Sequence, residues 1–201
     1  MGDRIDAHFA PARALAGSLL APPDKSISHR AALLGAFGEG TAAVSRYLDS
    51  ADTRSSLAAV AALGATVRSG PAGPGALEVE IDGFGLRGAS EPAGAIDVGN
   101  AGTLIRLLVG LLAGQRGREY VLDGDESIRQ RPMGRVAEPL RAMGAAVRTA
   151  AGARPPIAVA GRALHAIHWE MPVASAQVKS CLLLAGLLAS GRTTVREPAV
   201  T

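Results

Sequence analysis

Lysine is nearly missing from this chain of 201 residues: of 21 basic residues, only Lys25 and Lys179 are lysines and the rest are arginines. Aromatic residues are scarce as well, at 3%. That leaves few rings for bases to stack on and argues against a nucleic-acid partner. A single cysteine, Cys181, excludes an internal disulfide framework and fits a reducing, cytoplasmic compartment. The longest apolar run, 181–189, is far short of the roughly 20 residues that cross a bilayer. Residues 1–6 include Asp3 and Asp6 and show no signal-peptide pattern. No membrane partner is expected.

What is present is apolar and small. Hydrophobic residues make up 48% and charged residues 19%, which excludes intrinsic disorder and supports a buried core. The 21 Lys+Arg against 18 Asp+Glu leave a net charge of only +3, with the arginines scattered among acids, so small anionic ligands remain open. In an arginine-rich background, a lysine points to a need for a compact charge with a tunable pKa.

The chain repeats a plan. Helices are expected over 26–37, 102–113 and 176–189, each opening on small polar residues and leading through a Gly turn into a strand (41–44, 119–122 and 193–196). The turn glycines Gly40, Gly117 and Gly191 recur at nearly equal spacing. Second helices are expected over 52–63, with Asp49 or Ser50 as N-cap, and over 132–143, with Pro132 in the first turn. Gly64 and Gly144 have the place of left-handed C-caps before short strands. Residues 77–81 alternate apolar and acidic, as a half-buried strand does, with 157–159 as the counterpart. The unit is βαβαββ in an α/β domain of pseudo-threefold design, and the third copy is incomplete at residue 201.

The polar residues gather at the helix starts. Asp24-Lys25-Ser26-Ile27-Ser28-His29-Arg30 follows two prolines and sets hydroxyls, Lys25 and Arg30 where unpaired N–H groups and the macrodipole favour an anion. An ordinary capped helix with solvated charges is the plain alternative, and His29 alone reads as structural or surface-facing. In the stretch from Asp97 to Arg106, Gly99 and Gly102 allow close backbone approach to a ligand. The Walker and dinucleotide-binding glycine patterns are both lacking. Arg129 and Arg131 precede Pro132 and can grip a carboxylate or phosphate, or else simply pair with Asp125 and Glu126. Ser175-Ala176-Gln177 opens the third helix, with Ser175 as cap or ligand group. Cys181 reads as a buried small residue.

Taken in order, these motifs resemble the 5-enolpyruvylshikimate-3-phosphate synthase family. They are Asp24 to Arg30, Gly99-Asn100-Ala101-Gly102-Thr103, Gly124-Asp125-Glu126-Ser127 with Arg131-Pro132-Met133-Gly134-Arg135, and Ser175 to Ser180. The sister family acting on UDP-N-acetylglucosamine is not expected to have the first and third. The resemblance implies two domains of three βαβαββ units each, closing on substrates at a hinge. It assigns 21–201 to the first domain, truncated in its third unit, and 1–20 partly to the second. The implied reaction moves the enolpyruvyl group of phosphoenolpyruvate to the 5-hydroxyl of shikimate 3-phosphate, with no metal or organic cofactor. By the same resemblance Lys25 touches both substrates, with Ser26, Arg30, Ser175, Ala176 and Gln177 on shikimate 3-phosphate. Asn100, Gly102 and Arg131 would take phosphoenolpyruvate, and Gln177 would reach both ligands. Family enzymes are about twice as long, so a complementing C-terminal half is the implied partner, supplying the acids for proton transfer. Pro23 stands where the family often has Gly, which stiffens the approach to Lys25.

Overall fold

A computed structural model of the chain describes residues 8, 10, 11, 14 and 16–200. The readings made for residues 1–6 and for much of 1–20 lie outside these residues.

The first unit opens with α1 (Lys25–Phe37). Its cap is Asp24, whose carboxylate accepts the Ile27 N–H at 2.7 Å, so the helix begins one residue ahead of the expected serine. After β1 (Glu39–Leu48) comes α2 (Ala51–Ala62). Ser50 caps it and Thr53 bonds back to the Ser50 N–H, which satisfies donors at both ends of the turn. Gly64, at φ 108°, ends it as its left-handed position predicts. The strands β2 (Thr66–Pro71) and β3 (Ala76–Phe84) complete an antiparallel sheet ordered β1-β3-β2.

The second unit runs β4 (Ile96–Asp97), α3 (Gly102–Leu112), β5 (Glu119–Asp123), α4 (Glu126–Arg129), α5 (Gly134–Ala142), β6 (Ala146–Ala150) and β7 (Arg154–Ala160). Its sheet is ordered β4-β5-β7-β6, with β4 parallel to β5 and the other pairs antiparallel. The third contributes β8 (Leu164–His165), β9 (His168–Glu170), α6 (Ala176–Gly186), β10 (Ala189–Ser190) and β11 (Thr194–Arg196). Here β8 pairs with β10 and β9 with β11, all parallel. Each unit is thus a portion of one plan, in which a helix crosses between parallel strands and an antiparallel hairpin follows.

Three expectations need correction. Pro132 lies before α5, not in its first turn, because the Met133 N–H is taken by the Ala153 carbonyl at 2.7 Å. The third helix stops at Gly186, and Ala189–Ser190 pair as a strand instead of prolonging it. The one-turn α4, capped by Asp125, was not expected as a helix.

The core is centred on α3. Leu104, Ile105, Leu107, Leu108, Leu111 and Leu112 are all fully buried, each worth about 2 kcal/mol of transfer free energy. α3 crosses α6 closely: a Cβ on Gly110 would lie 2.4 Å from the Cys181 carbonyl oxygen. Around this pair the second helices cover the seams, α2 against α1 and α5 against α6. The seam between α6 and α1 is different. Among the described residues no second helix covers it, and a groove of about 160 Å³ remains, lined by Leu33, Leu34, Leu107, Leu183, Leu184 and the polar pair Arg30 and Ser180.

Candidate active site

Hydrogen bonds between distant residues stitch the starts of α1, α3 and α6 together. Arg30 on α1 donates to the Ser180 hydroxyl of α6 at 3.1 Å and to the carbonyl of Ser26 at 3.0 Å. Gln177, in the first turn of α6, donates through its amide to the Thr103 hydroxyl at 2.9 Å. Its carbonyl oxygen accepts from Arg106 on α3 at 3.1 Å.

In the first unit the two serines have separate fates. Ser28 is buried, donating to the Asp24 carbonyl at 2.8 Å and accepting the Leu48 N–H at 2.9 Å, so its hydroxyl serves the fold. Ser26 is exposed at the start of the helix. The Lys25 ammonium donates to Asp52 in the first turn of α2 at 3.0 Å. With Lys25 54% exposed, such a pair contributes little to stability and the ammonium can turn to a better anion. His29 is structural: fully buried, its Nδ1 lies 2.6 Å from the Ser56 hydroxyl. Burial, followed by Lys25 and Arg30, outweighs Asp52 and pulls its pKa below the ordinary 6.5.

In the second unit, Asp125 organises the loop. It caps α4 through the Ile128 N–H at 2.9 Å and accepts from the Asn100 amide at 2.8 Å. These donors, Ile128 first, hold its carboxyl below the usual range. Asn100 in turn accepts from Arg131. The expected alternative pairing is not formed, since Arg129 bonds to Asp123 at 2.7 Å. α3 begins without a side-chain cap, and Gly102 is hemmed in: a Cβ there would lie 2.4 Å from an Arg131 nitrogen and 3.0 Å from one of Arg106. Any side chain would displace the guanidinium that the loop has been folded to present.

In the third unit Ser175 caps α6, accepting the Val178 N–H at 3.4 Å, and Ala176 is its first helical residue. Lys179 pairs with Glu197 at 2.5 Å, in keeping with a structural part.

The structure therefore brings Asn100, Gly102, Arg131 and Gln177 together through Arg106, and links Arg30 to α6. Lys25 pairs instead with Asp52 and bonds to none of that group. The sequence motif contains Arg106 but singles out no role for it. Its guanidinium is half-buried and meets only neutral acceptors, while burial, then Arg131 and Arg135, lower its pKa. Guanidiniums clustered without a carboxylate bonded to Arg106 or Arg131 form a seat for an anion. The adjacent cavity of about 370 Å³ is lined by Asp97, Asp123, Asp125 and Arg129, and its acidity suits no such ligand. Among the described residues no group of three or more His, Cys, Asp or Glu could hold a metal.

Comparison with known proteins shows the family. The family described as EPSP synthase (3-phosphoshikimate 1-carboxyvinyltransferase) matches residues 9–201. The 3-phosphoshikimate 1-carboxyvinyltransferase of Synechococcus sp. (strain JA-3-3Ab) is 51% identical over 194 residues, covering 96% of this chain and 43% of that protein. That of Alkalilimnicola ehrlichii is 49% identical, covering 98% and 43%. The solved EPSP synthase of Acinetobacter baumannii superposes with a TM-score of 0.85 at 44% identity, over 92% of this chain and 41% of that one. The chain thus spans less than half the length of these relatives. On motifs, fold and sequence together, it belongs to the EPSP synthase family.

Proposed function

We propose that this chain supplies the shikimate 3-phosphate face, and part of the phosphoenolpyruvate seat, of an enolpyruvyl transfer site. In that reaction the 5-hydroxyl gives up its proton to a base as its oxygen adds to C2 of phosphoenolpyruvate, and the methylene carbon of phosphoenolpyruvate takes a proton from an acid. Loss of a proton from the resulting methyl group then expels phosphate and restores the double bond. The observation that supports it most is the cluster of Arg106, Arg131 and Arg135, in which Arg106 and Arg131 bond to neutral acceptors. Lys25, Ser26, Arg30, Ser175, Ala176 and Gln177 are assigned to shikimate 3-phosphate. Lys25, Asn100, Gly102, Arg131 and Gln177 are assigned to phosphoenolpyruvate. Lys25 is the one member at the catalytic centre. Residues 21–201 form part of the first of two domains, and the working compartment is the cytoplasm.

Of the carboxylates beside this site, Asp52 pairs with Lys25 and Asp125 is held by its cap and Asn100. On this reading the proton donor for the addition comes from another segment. The test is phosphate release from the two substrates together with thermal protection by shikimate 3-phosphate. The expected result is protection without turnover, with protection lost in Lys25→Ala. Unchanged ligand binding in both Lys25→Ala and Arg131→Ala would sink the site assignment.

A second reading has its own observation. Leu34 and Leu183, which line the open seam, are 53% and 48% exposed, and Leu187 one turn beyond Leu183 is 57% exposed; exposed apolar surface of this kind marks a face that seeks a partner. On this reading the chain is an anion-binding half that works only with a complementing polypeptide.

A further inference from the structure

We propose that Arg106 is a positioning residue, a staple that holds the arginine loop of the second unit in register with the start of the third unit's helix. Three acceptors from three segments converge on its guanidinium. One is the Gly102 carbonyl in the first turn of its own helix, at 3.0 Å. Another is the Gln177 side-chain oxygen on α6, at 3.1 Å. The last is the Pro132 carbonyl, next to Arg131, at 3.4 Å. No other described side chain bonds to all three segments.

A planar fork with several fixed N–H directions can serve three acceptors at once, whereas an ammonium on a flexible stem cannot hold the same angles. The arrangement also sets the spacing of the seat. Arg131 is pushed by like charge and drawn by Asn100, and Arg106 fixes the carbonyl that follows it. Displacing Arg106 lets the Arg131 loop and Gln177 move independently. The chain-distance between them is long, so nothing local keeps them in step. The role does not require Arg106 to touch a ligand.

This inference assigns a part to Arg106 within the site proposed above, so its test begins without ligand. Hydrogen exchange would be followed at the amides of Arg131, Met133 and Gly134 and at those of Gln177 and Val178, in the unaltered chain, Arg106→Lys and Gln177→Ala. A staple predicts exchange at least about fivefold faster in both segments of Arg106→Lys, although the charge is kept. It also predicts faster exchange around Arg131 in Gln177→Ala, which cuts the same bridge from the far side. Melting curves confirm that each variant is folded, and if Arg106→Lys is not, Gln177→Ala decides alone. Unchanged exchange around Arg131 in Gln177→Ala overturns the proposal. The second arm titrates phosphoenolpyruvate with and without saturating shikimate 3-phosphate. Tightening of about tenfold by the first ligand should fall below about twofold in Arg106→Lys. Full retention of the tightening there also overturns the staple. If the unaltered chain binds neither ligand, the functional reading fails while the exchange arm still judges Arg106.

Discussion

The helices α3 and α6 are written in nearly the same alphabet and live in different surroundings. Both are apolar, and both start with a small-residue turn at the site. α3 has no exposed leucine, while α6 leaves Leu183 about half exposed, with Leu187 at its end more so. The difference lies in the neighbours. α3 is walled in by α6, by the second unit's sheet and by the approach of α1, whereas α6 has α5 on one flank and the open seam on the other. Apolar content makes a helix fit for burial, but the packing of other elements decides how much of it is buried.

The sharpest way to test that contrast is a pair of equal truncations. Leu108→Ala, at a fully buried position on α3, should cost about 3 kcal/mol in urea unfolding. Leu183→Ala, the same chemistry on the open flank, should cost under about 1 kcal/mol. Equal losses would break the comparison and mean that the seam is covered in solution.

A smaller effect is expected from acid, through α1. His29 is buried in its neutral form with Nδ1 on Ser56. Because burial lowers its pKa, the unfolded chain binds a proton first as pH falls below 6.5. The stability it contributes is therefore present above that value and lost below it. Denaturation midpoints between pH 7.5 and 5.5 should decline in the unaltered chain and decline less in His29→Asn. Parallel curves would show that other groups cause the decline.

The least change in stability belongs to the open flank itself. Leu183→Glu with Leu187→Glu should leave the melting temperature within a few degrees yet abolish concentration-dependent self-association in light scattering. A compact monomer in the unaltered chain at all concentrations would count against a partner-seeking surface.

Much of this was legible beforehand, and the reasons are local. Gly64 and Gly144 at the helix ends, the alternation of Leu77, Val79 and Ile81, and the polar helix starts all follow from nearest-neighbour chemistry, and the structure has them in place. What escaped depends on partners far along the chain. The delayed start of α5 comes from a bond to Ala153 in the β6–β7 turn. The bridge from Arg106 rests on Gln177, and the link of Arg30 rests on Ser180. Side chains that join separate units leave no periodic trace in sequence, since each end looks like an ordinary polar residue. The Lys25–Asp52 pair was hidden for the same reason, although the rarity of lysine had already singled out its cation.

The close crossing at Gly110 has one more consequence. It encloses the sulfur of Cys181, and burial pushes that thiol up to about 12, so in the closed fold neither an oxidant nor an alkylating agent has a thiolate to meet. Every modification of Cys181 must wait until α3 and α6 part. The single thiol is thus a built-in clock for the molecule's interior, and the rate at which it can be labelled counts the openings of the core, one helix separation at a time.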